Sequence, residues 1–415
     1  MGRRAVSRRA VLGAAAGVGA AACVSGETRD RTADSPDTRA GNGAGTARPA
    51  FHGPHQAGIL PPPARAGTVA AFDCVDTGRA ALAATFRALS AEIAALMSRW
   101  PVPAAAPDLP PPDSGVLAGV ADPWVAITTS VGASLFDRRY GLAPLRPREL
   151  VPMPRLANDR LDAARSHGDL LLVVQGDHPD VCVHALRRIM RRTRSGLVLR
   201  WLQDGFNRPD AQPRAGRTGT RNLLGFKDGT GNPDGSDPAL MEELVWTGPA
   251  DGEPAWAAGG SYQVVRLIRM FVEQWDRAIL SEQERIIGRR KDTGAPLDGR
   301  AETDLPRYAA DPEGSRTPLD AHIRLANPRD ARTAGRLILR RGFSYSRGFD
   351  GAGLLDQGLV FVSYQQRLAH FLDTQARLAG EPLEEYIQPQ GGGFFYALPG
   401  VPAADGWLGR SLLDS

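Results

Sequence analysis

The order of apolar patterns between Thr68 and Leu202 most narrows what this chain can become. Thr68-Val-Ala-Ala-Phe72 reads as a strand. From Gly78 to Trp100, Leu82, Phe86, Leu89, Ile93 and Leu96 recur at helical spacing, so one helix face is apolar. Pro101 to Pro112 is a proline-rich connection. Trp124-Val-Ala-Ile-Thr-Thr129 reads as a second strand and Leu170-Leu-Leu-Val-Val174 as a buried one. Pro179 stands where a first helical turn begins, because its missing N–H costs nothing there, and Val181, Leu186 and Ile189 follow on one face. Leu197-Val-Leu-Arg-Trp-Leu202 is the return strand. Strand, helix, strand, twice in succession, is the pattern of a ferredoxin-like unit.

The second half repeats this more loosely. Tyr262 to Val272 is strand-like, and Ser281-Glu-Gln-Glu284 has the spacing of a capping box that opens a short helix. Leu337 to Tyr345 and Leu359 to Tyr364 read as strands. Leu368 to Leu378 is amphipathic and stops at Gly380, a residue suited to the left-handed end of a helix. Phe394-Phe-Tyr-Ala-Leu398 is the last strand, reached through Gly391-Gly-Gly393. The expected fold is α+β, with two ferredoxin-like domains on antiparallel sheets, at residues 51–233 and 234–415. A chain of 415 residues has room for both.

Chemistry concentrates between Asp320 and Arg341. His322 sits beside Ile323 and Leu325, an alternation that suits a strand end. Arg340 and Arg341 close the apolar run Leu337-Ile338-Leu339, and cations at the end of a buried strand call for an anionic partner. Taken singly, these residues have ordinary explanations. A lone histidine among apolar neighbours is usually a hydrogen-bonded core residue, and paired arginines usually lie on the surface. Asp228-Gly229 belongs to any turn. Rival motifs fail. Thr230-x-Asn232-x-Asp234-Gly235 lacks the first carboxylate and the closing glutamate of a calcium loop. No Gly-Lys-Ser/Thr follows the glycines, so there is no phosphate loop of the Walker kind.

The ordered set is more telling than its parts. Gly225-x-x-Asp228-Gly229, then His322, then Arg340 resembles the dye-decolorising peroxidase family of haem enzymes. Gly53-Pro-His-Gln-Ala-Gly-Ile59, Ser134-Leu-Phe-Asp137, Gly260-Ser-Tyr262, Glu282-Gln-Glu284, Ile287-Gly-Arg289 and Gly391-Gly-Gly-Phe-Phe395 extend the likeness from Phe51 nearly to the C-terminus. The resemblance implies haem held mainly by the second domain, with His322 as iron ligand. His52, His55, His167, His178, His184 and His370 lack that matched context. It implies a carboxylate beside His322, Glu385 by preference or Glu384. Such a partner makes a ligating histidine more electron-donating. It implies Asp228 as the base that would move the peroxide proton and Arg340 as the donor that would steady the charge developing at the O–O bond. Gly225, Phe226, Lys227 and Gly229 would bring the loop against the macrocycle. Arg289 would hold a propionate, and Arg341 would take a structural or propionate role.

No Cys-x-x-Cys-His occurs, so the expected cofactor is a non-covalent haem b (iron protoporphyrin IX), one per chain. The expected substrates are hydrogen peroxide and bulky aromatic reductants, with electrons passing through a surface Trp or Tyr. Two rivals share the site. One is a deferrochelatase that frees iron from haem within an iron-uptake system, as proposed for exported relatives. The other is a haem carrier, which would have no use for Asp228 and Arg340. A homo-oligomer is compatible with all three.

Composition bounds the rest. At 42% hydrophobic and 23% charged residues the chain is an ordinary globular one, and a net charge of +4 with no basic patch interleaved with aromatics argues against nucleic acid. Arg8-Arg9 before the small-residue run Gly13 to Ala22 reads as a twin-arginine export signal over residues 1–23. That route carries folded proteins, which suits a cofactor inserted before export. Ala20-Ala21-Ala22 offers a cleavage site, and Cys23 directly after it is a candidate for lipidation. Residues 24–50 read as a disordered tether. Cys74 and Cys182 are expected as buried free thiols.

Overall fold

The computed structural model describes residues 48–98, 106–208 and 220–415. The expected export signal and most of the expected tether lie outside the described residues.

The first half runs β1 (Ala66–Cys74), α1 (Arg79–Met97), β2 (Val125–Gly132), β3 (Leu170–Gly176), α2 (Pro179–Thr193) and β4 (Leu197–Phe206). The strands pair antiparallel in the order β2-β3-β1-β4, the arrangement that two strand–helix–strand units interleave to make. α1 buries Leu82, Phe86, Leu89, Ile93 and Leu96, the face its spacing predicts. It is long and apolar enough by composition to cross a membrane, but half of that stretch is spent on the core. α2 starts at Pro179, carries Asp180 in its first turn and Arg191 and Arg192 in its last, and so matches charge to the helix dipole at both ends.

The second half runs α3 (Pro238–Leu244), β5 (Ser261–Met270), α4 (Val272–Trp275), α5 (Leu280–Ile287), α6 (His322–Ala326), β6 (Leu339–Arg340), β7 (Phe343–Phe349), β8 (Leu355–Gln365), α7 (Leu368–Leu378), β9 (Ile387–Ala397) and α8 (Arg410–Leu413). Its strands take the equivalent order β9-β5-β8-β7, with the short β6 paired to β8. The fold is therefore α+β, built from two ferredoxin-like antiparallel sheets.

The two sheets join at both edges. Ser130, Val131 and Gly132 of β2 pair with Ala397, Tyr396 and Phe395 of β9, and Phe206 of β4 pairs with Ser344 of β7. Eight strands thus close on themselves, which leaves few edges exposed. Alternate side chains from both sheets, among them Val69, Val173, Trp201, Val265, Phe343 and Phe395, fill the space between them. Gly67 and Gly205 admit the Phe343 ring, because a Cβ at either would lie 2.5 Å from that side chain.

Four local expectations need correction. α5 begins at Leu280 after Ile279, and no side chain caps it, so the Ser281 capping box does not form. The strand expected over Leu337–Tyr345 is two strands, broken where the Arg341 side chain leaves the sheet for the carbonyls of Ile59 and Leu60. Gly391-Gly-Gly393 lies inside β9 and does not lead into it; a Cβ on Gly392 would come within 2.0 Å of the Val265 oxygen across the sheet. His322 opens α6 and is not at a strand end: its neighbour Ala321 is extended, and the chain turns helical at His322.

Candidate active site

One cavity gathers most of the residues singled out above. Phe226, Lys227, Asp228, Gly229, Arg289, His322 and Arg340 all line it.

The loop before α3 is shaped by its own side chains. Asn222 Oδ1 accepts the backbone N–H groups of Leu224 and Phe226 at 3.1 and 3.3 Å. Gly225 and Gly229 take φ of 86° and 89°, values that L side chains rarely adopt. Glu302 then ties the loop down, accepting from Lys227 Nζ at 2.6 Å and from Thr230 Oγ1 at 3.0 Å. Gly225 does not line the cavity as expected. What calls for glycine there is its φ of 86°, with the flexible end of Lys291 packed against it.

Arg340 reaches this loop from β6, its Nη1 3.6 Å from Asp228 Oδ1. Its orientation is set by Asn232, a residue that sequence reasoning missed. Asn232 Nδ2 donates to the Arg340 carbonyl at 2.9 Å, and Asn232 Oδ1 accepts from the Arg340 backbone N–H at 3.1 Å and from Nε at 3.3 Å. One amide therefore grips both the backbone and the guanidinium. Its only sequence signal was its place four residues after Asp228.

Arg341 behaves otherwise. It is buried, donates to the carbonyl oxygens of Ile59, Leu60 and Arg340, and does not line the cavity. Burial pushes its pKa down to about 10. Its donor nitrogens are spent on backbone carbonyls outside the cavity, where it braces the Ile59–Leu60 segment.

His322 presents its ring to the same cavity. Its Nδ1 lies 2.7 Å from Oε2 of Glu381, whose side chain is only 3% exposed. Burial pushes the imidazole pKa down, but the charge and hydrogen bond of Glu381 outweigh it and the net shift is upward. Glu381 replaces Glu385 as the partner. Gly380, at φ 81°, turns the chain after α7, so the first carboxylate past the turn points inward. The 3-10 turn Pro382–Glu385 then carries Glu385 outward, where it is exposed and accepts from Gln274. Glu384, the fallback, lines the cavity, and burial raises its pKa above the usual carboxylate range.

The donor set fits a haem. Glu381 occupies Nδ1 and leaves Nε2 as the ring nitrogen free to ligate a metal. Ile268, Ile287, Ile338, Leu359, Phe361 and Phe371 supply apolar walls. Arg289 is buried, donates to the carbonyl oxygen of Gly294 at 2.6 Å, and is pushed below its ordinary pKa by burial and by the like charges of Arg329 and Arg340. Arginines crowded at one cavity call for an anionic ligand such as a carboxylate.

Comparison with known proteins agrees with this geometry. Residues 56–207 match the family model described as "Dyp-type peroxidase, N-terminal", and residues 219–402 the model "Dyp-type peroxidase, C-terminal". The chain is 50% identical over 366 residues to an Escherichia coli O157:H7 protein named deferrochelatase, covering 88% of this chain and 86% of that one. It is 49% identical over 387 residues to the Shigella flexneri protein of the same name, covering 92% of each. Among solved structures, ferric DtpA from Streptomyces lividans superposes with a TM-score of 0.79 at 36% identity, covering 89% of this chain and 98% of that one. The DyP-type peroxidase from Cellulomonas bogoriensis gives 0.77 at 34%, covering 88% and 98%. With a haem-binding donor set, an Asp228–Arg340 pair beside it and both family models matched in order, the chain belongs to the Dyp-type peroxidase family of haem-dependent enzymes.

Proposed function

We propose that this protein binds one non-covalent haem b per chain and uses it to reduce hydrogen peroxide and oxidise bulky aromatic reductants, after export by the twin-arginine route. When bound, haem supplies the redox-active iron. The observation that carries the proposal is the meeting of two residue pairs, Asp228–Arg340 and His322–Glu381, at a single cavity.

His322 would hold the iron through Nε2, and Glu381, accepting from Nδ1, fixes the tautomer and orients the ring. Asp228 takes a proton from one peroxide oxygen and returns it to the other. Arg340, aimed by Asn232, stabilises the charge that develops as the O–O bond breaks. Arg289 would hold a propionate. The apolar wall of Leu359 and Phe361 limits water beside these charges and strengthens their mutual interaction. Export is supported by Arg8-Arg9 and the small-residue run that follows.

A second reading is favoured by the name of the relatives at 49–50% identity: release of iron from haem at this same site. Haem-loaded protein given peroxide and an anthraquinone dye, with iron and free porphyrin assayed in parallel, separates the readings. Dye oxidation over many turnovers with no metal-free porphyrin supports the peroxidase. Fluorescent metal-free porphyrin appearing with stoichiometric iron release, and no dye turnover, would replace it with the deferrochelatase.

A further inference from the structure

A second cavity of about 400 Å³ is lined mostly by the first half of the fold, with Phe394 from β9, and shares no lining residue with the first. His167 is the feature that marks it. At φ 63° its backbone occupies the left-handed region, which disfavours residues with a side chain. It is held there from both sides: its N–H donates to the Gly392 oxygen at 2.7 Å, and its carbonyl accepts from Trp201 Nε1 at 2.7 Å. Strain of this kind persists where the surroundings over-determine it, and it concentrates at ligand sites. The clamp sets the His167 ring in the cavity lining, where neither ring nitrogen has a hydrogen-bond partner among the described residues.

The charges around the ring decide what kind of ligand fits. Arg139 is spent on Asp137 and Asp169. Arg200 is spent on Asp73 and on the carbonyl oxygen of Ser166. The lining therefore holds two cations balanced by two carboxylates, Asp73 and Asp169, and offers an ion little. Burial, with the Arg200 charge, pushes the His167 pKa down, so the ring stays neutral with one donor and one acceptor nitrogen. Phe394 and Pro152 give apolar walls, and Ser134 adds a hydroxyl.

We propose that this cavity binds a small neutral phenol, its ring against Phe394 and its hydroxyl hydrogen-bonded to His167 and Ser134. The phenol O–H donates to the unprotonated nitrogen of His167, and the Ser134 hydroxyl donates to the phenol oxygen. β9 connects the two cavities: Ile387 and Pro389 line the first and Phe394 the second. The five residue steps of strand from Pro389 to Phe394 span roughly 17 Å. A phenol bound here is thus a reductant held apart from the haem cavity; that role rests on the peroxidase reading, whereas the binding does not.

The test uses haem-loaded protein without peroxide and 4-fluorophenol as probe, with free ligand measured by fluorine NMR after equilibrium dialysis. Asparagine tolerates the left-handed backbone, so His167→Asn removes the imidazole and spares the fold. His167→Asn should weaken binding about 10-fold, and Ser134→Ala, at an exposed position that cannot unfold the protein, about 3-fold, the effect of one lost hydrogen bond each. With peroxide, KM for phenol should rise in both variants while turnover of an anionic dye is unchanged. Unchanged affinity in both variants overturns the site. Binding that depends on His167 in a protein with no peroxide turnover would count against the peroxidase reading and leave the site standing.

Discussion

Removing the Asn232 side chain tests whether Arg340 works only because it is held in place. Asn232 makes three hydrogen bonds to Arg340, at 2.9, 3.1 and 3.3 Å. At roughly 0.5–1.5 kcal/mol each, Asn232→Ala should cost about 1.5–4.5 kcal/mol of stability. The kinetic effect has a ceiling. Losing an electrostatic donor such as Arg340 outright costs roughly 10²–10³-fold in rate. Freeing its guanidinium from Asn232 cannot exceed that, and should cost about 10–100-fold. The assay is the initial rate of peroxide consumption by haem-loaded Asn232→Ala, Arg340→Leu and the double variant, each with its Soret band checked. If Asn232 acts through Arg340, the double variant is no slower than Arg340→Leu alone. Losses that multiply, or a single variant with the wild-type rate, would refute the reasoning.

Other expectations follow from single contacts. Arg341→Leu strands the carbonyls of Ile59 and Leu60, so it should lower the melting temperature while the folded holoprotein keeps most of its peroxide turnover; Arg340→Leu should do the reverse. Glu381→Gln should lower the proton affinity of His322 in the haem-free protein, read by NMR titration of the ring, because Glu381 is what raises it. A raised folded-state value stabilises the protein fully below the ordinary imidazole pKa of about 6.5. The stability gap between wild type and Glu381→Gln should therefore be widest there and close as pH rises through the folded-state value. Cys74 and Cys182 are free and buried, and burial pushes Cys182 up to about 12 and Cys74 higher still. Raised values disfavour the reactive thiolate, so peptide mapping should find both unalkylated at pH 8 until denaturant is added.

Periodicity carried the fold further than it carried the site. Helical spacing over Leu82–Leu96 and the strand runs Leu170–Val174 and Leu359–Tyr364 reflect faces buried by the fold, so their positions held. Closure of the two sheets through β2–β9 and β4–β7 was not legible, because three backbone pairs and one leave no side-chain signature. The His322 partner was misplaced by four residues for a related reason. In Glu381, Glu384 and Glu385 the chain offers three chemically equal carboxylates, and only the turn at Gly380 decides which faces inward. Arg340 and Arg341 are equally alike in sequence; pairing of Arg340 with Ser363 across β6–β8 turns one to the cavity and the next to Ile59. Asn232 was hidden in a turn sequence whose polar residues explain themselves locally.

The central claim is that Asp228 moves the peroxide proton. The most direct measurement is the pre-steady-state rate of peroxide consumption by haem-loaded wild type and Asp228→Asn across the pH range. Asparagine is nearly isosteric, so the Soret band should be unchanged. It cannot accept the proton, so the rate should fall roughly 10²–10⁴-fold, with the acid side of the wild-type profile lost. A wild-type rate in Asp228→Asn at every pH would leave Arg340 sufficient and reduce Asp228 to a turn residue.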